Sequence, residues 1–181
     1  MKNFFLYSLI ILFIGCTCNE EEVGRDNINE QNKVYCYNID KVNNYITNNN
    51  TVINSSFLGF KILESKTNEG PESCRYIVSQ HAKQTFTVGS YNGNIRIDNS
   101  AFGITMENGQ FSNELVLGIN SQIIDDYLQN ISINGFNFQD VLVIENNGRA
   151  TPSNITKVIY SKTNGIEFIL FEDGTWYKRV E

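Results

Sequence analysis

Thr85-Phe86-Thr87-Val88-Gly89-Ser90-Tyr91-Asn92-Gly93-Asn94-Ile95-Arg96-Ile97 is the stretch that decides the fold. Phe86 and Val88 alternate with Thr85 and Thr87, and Ile95 and Ile97 flank Arg96. That is the period of two of a half-buried strand. Asn92-Gly93, between the two runs, is a tight-turn signal. The stretch therefore predicts a β-hairpin, and the pattern spreads from it in both directions.

Downstream, Phe102, Ile104 and Met106 alternate, Asn108-Gly109 marks a second turn, and 115–119 reads as a further strand. Residues 131–133, Asn134-Gly135 and 136–145 read as another hairpin. Its second strand contains Val141-Leu142-Val143-Ile144, apolar on both faces, as in a central strand covered on both sides. Segments 155–160, 166–171 and 175–180 complete the sheet, with turns at Thr163-Asn164-Gly165 and Asp173-Gly174. Upstream, 51–53, 57–63 and 74–79 read as strands, and Glu69-Gly70-Pro71-Glu72 as a loop.

Two segments break the alternation. Ile39, Val42 and Ile46 lie three and four apart, which predicts a short helix over 38–48 with Asn38 as its N-cap. Ile123, Ile124, Tyr127, Leu128 and Ile131 form a helical stripe over 121–130. The expected fold class is mainly β: an antiparallel meander or sandwich, or a half-barrel, with one or two short helices.

The chain has 181 residues, 41% hydrophobic and 19% charged, which is a globular composition. Its formal net charge is −6. A negative domain lacks the electrostatic footprint of a nucleic-acid binder, so no nucleic-acid partner is expected. Anionic lipid would repel it, so membrane attachment would need an anchor. Of the four cysteines, Cys36 and Cys74 could pair, closing a loop of about 38 residues; equally, each could be a buried free thiol. With one histidine, His81, and no recurring close cysteine pair, no metal site or cofactor is expected.

Residues 1–15 begin with Lys2 and run apolar from Phe4 to Ile14. The run is too short for a spanning helix, which needs about 20 residues, and reads as a signal-peptide core. Leu12-Phe13-Ile14-Gly15-Cys16 ends it. This motif resembles the lipobox of bacterial lipoproteins, in which a small residue precedes the cysteine that receives diacylglycerol. Gly15 and Cys16 match the two critical positions, and Phe13 departs from the usual Leu. The resemblance implies cleavage before Cys16, lipidation of Cys16 and attachment to a membrane through the acyl anchor. Residues 16–33, rich in Glu and Asn, read as an acidic flexible tether, leaving 34–181 as a single β-rich domain. Acidic residues after the cysteine are similar to the surface-export signal of Bacteroidota lipoproteins. That implies an outer-membrane location, on the cell surface or the periplasmic face. Val141 to Ile144, Tyr160-Ser161-Lys162 with Gly165, and Asp173-Gly174 together resemble a closing module of Bacteroidota outer-membrane lipoproteins of unknown function. These are core and turn residues, so the resemblance speaks to fold.

Catalytic signatures are sparse. There is no nucleophile elbow, zinc-protease helix, phosphate-binding loop or dinucleotide fingerprint. His81 sits in a polar, loop-like stretch and reads as a surface residue. Glu145, Glu167, Glu172 and Asp173 lie on or near neighbouring strands, where a pair for carboxylate glycoside chemistry could be assembled, with solvated edges and turns the simpler use. Asp98-Asn99 is a conceivable calcium loop without EF-hand spacing. Tyr91, Phe102, Phe111, Phe136, Phe138, Trp176 and Tyr177 offer aromatic surface for a sugar or a protein, with core packing the simpler use. Trp176 and Tyr177 cannot share a face. The expected function is a non-enzymatic binding or scaffold module with an envelope protein or glycan as partner. The alternatives are a carrier enclosing an apolar ligand in a half-barrel, and an envelope hydrolase.

Overall fold

The structure, a computed structural model, describes residues 18–36, 40–146 and 152–180. Cys16 and the signal-like segment lie outside the described residues, as does the proposed cap Asn38. Among the described residues there are thirteen strands: β1 Glu21–Asp26, β2 Lys41–Thr47, β3 Val52–Phe57, β4 Lys61–Asn68, β5 Arg75–Val88, β6 Tyr91–Ile97, β7 Ala101–Glu107, β8 Ser112–Gly118, β9 Gln129–Ile133, β10 Phe136–Glu145, β11 Ile155–Ser161, β12 Gly165–Phe171 and β13 Trp176–Val180. The fold is mainly β, as the alternation predicts, and the described helical turns are two short 3-10 turns, Asn32–Tyr35 and Ile124–Tyr127.

The chain divides into two compact units. The larger holds 27–64 and 80–180. Its strands run in the order β8-β7-β6-β5-β3-β2-β13-β12-β11-β10-β9, each antiparallel to its neighbour. The sheet curls into a half-barrel, because β8 reaches back to β10 and bridges Leu115 to Asn146. Curling brings one face inward, and that face is filled. Tyr45, Ile95, Phe102, Ile104, Leu115, Leu142 and Tyr160 are all at 0% exposure, with the Phe102 and Tyr160 rings 4.8 Å apart. Two buried tyrosines keep partners for their hydroxyls. Tyr45 donates to the Ile166 carbonyl at 2.7 Å, and Tyr160 to the Tyr35 carbonyl at 3.2 Å.

The smaller unit holds 18–26 and 65–79. There β1 pairs in parallel with the start of β5, from Glu21 opposite Arg75 to Asp26 opposite Ser79. A disulfide joins Cys18 to Cys74, and the part of β4 in this unit, 65–68, is exposed.

Several expectations need correction. The helix over 38–48 is strand β2: Tyr45 is buried and Ile46 half-buried while Val42 is 78% exposed. Pairing with β3 and β13 satisfies both backbone edges, which a short Asn-rich helix could not match. The helix over 121–130 shrinks to the 3-10 turn Ile124–Tyr127, because β9 claims Gln129 onward through its hairpin with β10. The hairpin turn after Val88 falls at Gly89-Ser90, where Gly89 takes φ +59°, and Asn92-Gly93 lies inside β6. Residues 57–63 divide between β3 and β4, and His81 lies within β5, not in a loop.

Over its described residues, 18–33, the expected flexible tether is also overturned. Glu21–Asp26 is a strand, and Ile28 and Asn32 are buried. Asn32 donates to the Gln122 carbonyl at 3.0 Å and accepts from the Ile124 amide at 2.9 Å, fastening 27–36 into the larger unit. Two large side chains, Ile28 and Tyr35, and the buried amide of Asn32 anchor a segment whose composition is otherwise that of a linker. The Cys36–Cys74 pairing is replaced by Cys18–Cys74, and Cys36 is a free, half-buried thiol.

Candidate functional site

The aromatic candidates sort by strand parity. Trp176 stacks on Phe168 with ring centroids 5.8 Å apart, and Phe136 meets Trp176 edge-on at 5.1 Å. With Phe138 they cover Val141, Ile159 and Phe168 on the face of β10–β13 opposite the main core. This is the second apolar face foreseen for 141–144: Val141 and Val143 serve it, while Leu142 and Ile144 serve the inner one. Phe102 lies in the main core. Trp176, Phe136 and Phe138 are half-buried, so their packing role is evident in the structure itself.

Tyr177, one residue along, points to the other face. Its ring lies 4.7 Å from Phe171, and Tyr91 approaches Phe171 from 5.7 Å. These three rings, with Phe111, line an open cleft of about 410 Å³ whose rim carries Glu172 and Asp173. The β12–β13 hairpin shapes the rim. Gly174 takes φ +82°, a conformation that favours glycine. The Asp173 carboxylate accepts from the Thr175 hydroxyl at 2.6 Å and the Thr175 amide at 2.9 Å, which hold its carboxyl below the usual carboxylate range. Glu172 is exposed, and no described group bonds its carboxylate. Burial, the neighbouring Tyr91 and Asp173 push the Tyr177 hydroxyl above its ordinary value.

The opposite wall is built on Asn113, at 0% exposure on β8. Its side-chain oxygen accepts from the Asn154 amide at 2.9 Å and the Ile155 amide at 2.8 Å, and its amide donates to the Met106 carbonyl at 3.1 Å. Asn154 then donates to the Tyr91 hydroxyl at 2.7 Å. A buried polar chain thus fixes both the loop at 152–155 and the Tyr91 ring that faces the cleft. Nothing in the alternation pattern singled out Asn113. The only signal was a polar residue where an apolar one suits the inward position.

Of the acids named as a candidate catalytic set, Glu145 and Glu167 lie outside this cleft. Glu167 is held by Arg179 at 3.1 Å, with both side chains about 15% exposed, and accepts from Ser161 at 2.8 Å and Asn164 at 2.7 Å. Glu145 pairs with Lys157 at 2.9 Å. Only Glu172 and Asp173 reach the cleft, adjacent in sequence on one rim. His81 has its protonation suppressed, first by burial and then by Arg96. The Asp98 oxygen that would serve a cation accepts instead from the Ser100 amide, the Ser100 hydroxyl and the Ala101 amide. Among the described residues no cluster of three metal-ligating side chains occurs. No helix among them is long and apolar enough to cross a membrane.

These features define a curled, mainly antiparallel β unit with a filled inner face and an aromatic, acid-rimmed surface cleft. No family model, curated protein or solved structure matches the chain.

Proposed function

We propose that this chain is an outer-membrane lipoprotein, anchored by acyl chains on Cys16, whose β fold serves as a non-enzymatic binding module for an envelope partner. The observation that carries the binding reading is the filled inner face. Ile95, Ile104, Leu115 and Tyr160 occupy the space in which a carrier would hold an apolar ligand, so recognition falls to the surface. The apolar run 4–14 and Gly15-Cys16 support the anchor.

The disulfide gives the anchor a consequence. Thr17 alone separates Cys16 from the crosslinked Cys18, at most about 7 Å of extended chain. An acylated Cys16 therefore holds the smaller unit at the lipid surface, with no long spacer between them.

Cys16→Ala tests the anchor. The variant should leave the membrane fraction and fail to take up labelled fatty acid; continued labelling would defeat the assignment. Photo-crosslinking of the wild type on intact cells tests the binding role, with recovery of one specific partner expected. A co-purifying apolar ligand in stoichiometric amount would favour the carrier instead.

A further inference from the structure

We infer that the cleft at the β12–β13 hairpin is a recognition site for an ammonium group, of the kind carried by a lysine side chain. The inference rests on the binding-module reading and adds the site and the chemistry it selects.

Three observations converge. First, the cleft is walled by rings: Phe111 and Tyr177 are half-buried at its surface, and Tyr91 and Phe171 are buried at its base. Ring faces attract cations through their quadrupoles, and the attraction strengthens when the cation leaves water. Second, the charge at the rim is uncompensated. Glu172 has no bonding partner among the described residues, and Asp173 has only Thr175 and its own turn. Neither carboxylate forms an ion pair with a described lysine or arginine. Third, the walls are held in place before any ligand arrives. The chain from Asn113 through Asn154 to the Tyr91 hydroxyl fixes one side, and Gly174 with the Asp173–Thr175 bonds fixes the other. A preformed site avoids the ordering cost that weakens recognition by mobile side chains.

A volume of about 410 Å³ suits one extended side chain or a small head group. A neutral sugar would use the rings but gains little from two adjacent carboxylates. An anion is repelled by them. An ammonium uses both, donating hydrogen bonds to Glu172 while its stem and charge lie against the rings.

The test is NMR titration of the full chain in detergent with four probes. N-acetyl-lysine methylamide carries the ammonium; N-acetyl-norleucine methylamide is its apolar counterpart without the charge. Phosphoethanolamine represents a lipid head group, and methyl β-glucoside a sugar. The lysine probe should shift the ring signals of Tyr91, Tyr177 and Phe111 saturably, and the norleucine probe should bind at least about tenfold more weakly, the loss of one ion-paired contact. Glu172→Gln, an exposed change that spares the fold, should weaken the lysine probe several-fold and leave the norleucine probe unaffected. Phosphoethanolamine binding as tightly as the lysine probe would point to lipid as the source of the ammonium; much weaker binding points to protein. Equal binding of lysine and norleucine probes, tighter binding of the glucoside, or no shift in these rings at saturating lysine probe each overturns the inference. If the rings stay silent while wild-type cells still yield a specific crosslinked partner, the cleft fails and the binding module stands. If both fail, the parent reading falls too.

Discussion

Cys18 and Cys74 are disulfide-bonded with Cα atoms 5.6 Å apart, and the bond closes the one parallel strand pairing described, β1 on β5. β1 is mostly exposed, and its ion pair across to β5, Arg75–Glu21 at 3.9 Å, lies at the surface. Such pairs contribute little, so the crosslink is the main device holding β1 on its neighbour. Cys18→Ser, or reduction of the wild type, should expose Arg25 to trypsin several-fold faster, while cleavage at Arg96 in the larger unit keeps its rate. Unchanged cleavage at Arg25 would show that backbone pairing alone secures the strand.

Asn113 carries two backbone amides on one side-chain oxygen in a site closed to water. Asn113→Ala would orphan the Asn154 and Ile155 amides together. An unsatisfied buried donor costs about 1–3 kcal/mol, so a loss of at least about 2 kcal/mol in urea unfolding is expected. Tyr91 should also lose its fixed position, visible as altered ring shifts. A change within about 0.5 kcal/mol, the range of surface substitutions, would mean that another group takes over Asn113's role.

Gly93, in a sequence signal for a tight turn, is packed inside β6. A Cβ there would stand 2.5 Å from Phe86 Cζ and 2.5 Å from the Thr105 carbonyl oxygen. The oxygen belongs to the backbone of a paired strand and cannot swing aside. Gly93→Ala should therefore destabilise by about 1–3 kcal/mol through overpacking. Gly103→Ala in β7, where the nearest atom is 3.9 Å away, is the matched control and should change stability far less. Equal effects would return Gly93 to a purely conformational role.

These cases mark what was legible. Alternation is local, so the strands from Phe86 onward, the Asn134-Gly135 and Asp173-Gly174 turns, and the two-faced β10 could be read from single residues. Asn134 and Gly135 take φ +49° and +82°, as a two-residue hairpin requires. What failed depended on distant partners. Val42 and Ile46 mimic a helical spacing until β3 and β13 are known to flank them. Gly89 and Gly93 both sit beside turn formers, and only the inward register of Phe86, Val88, Tyr91 and Ile95 selects the first. The Cys18 pairing and the burial of Ile28 were hidden because an acidic composition suggests a linker. The cleft was half-visible: Tyr91, Phe111 and Tyr177 were named, but Asn113 and Asn154 meet only through folds 41 residues apart.

Arg179 and Glu167 form an ion pair at 3.1 Å on neighbouring strands of the sheet, mostly shielded from water. Arg179→Ala would strand a carboxylate that Ser161 and Asn164 only partly satisfy. Removing one partner of a buried pair costs about 3 kcal/mol or more, whereas replacing both by neutral groups is far milder. Arg179→Met with Glu167→Gln should therefore recover most of the stability lost by Arg179→Ala. A double variant no better than the single one would place the loss in the arginine's packing.

Tyr45 and Cys36 should make the fold weaker at alkaline pH. Burial pushes the Tyr45 hydroxyl well above its ordinary range, Arg179 opposing and Glu167 adding, while burial pushes the Cys36 thiol up to about 11 against Lys33. Both groups hold their protons longer when folded than when unfolded. Below the unfolded values, about 9 for the thiol and about 10 for the phenol, folded and unfolded forms bind these protons alike and their contribution is complete. As pH rises beyond those values the unfolded chain sheds protons that the folded chain retains, so stability falls. Urea unfolding should show a marked loss between pH 8 and pH 11. Tyr45→Phe should be weaker at pH 8 by about 1 kcal/mol, for the lost bond to the Ile166 carbonyl, yet lose less than wild type between the two values. Cys36→Ala should lessen the remaining slope from pH 9 upward. Parallel losses in wild type and Tyr45→Phe would show that the phenol opens to water before the fold gives way.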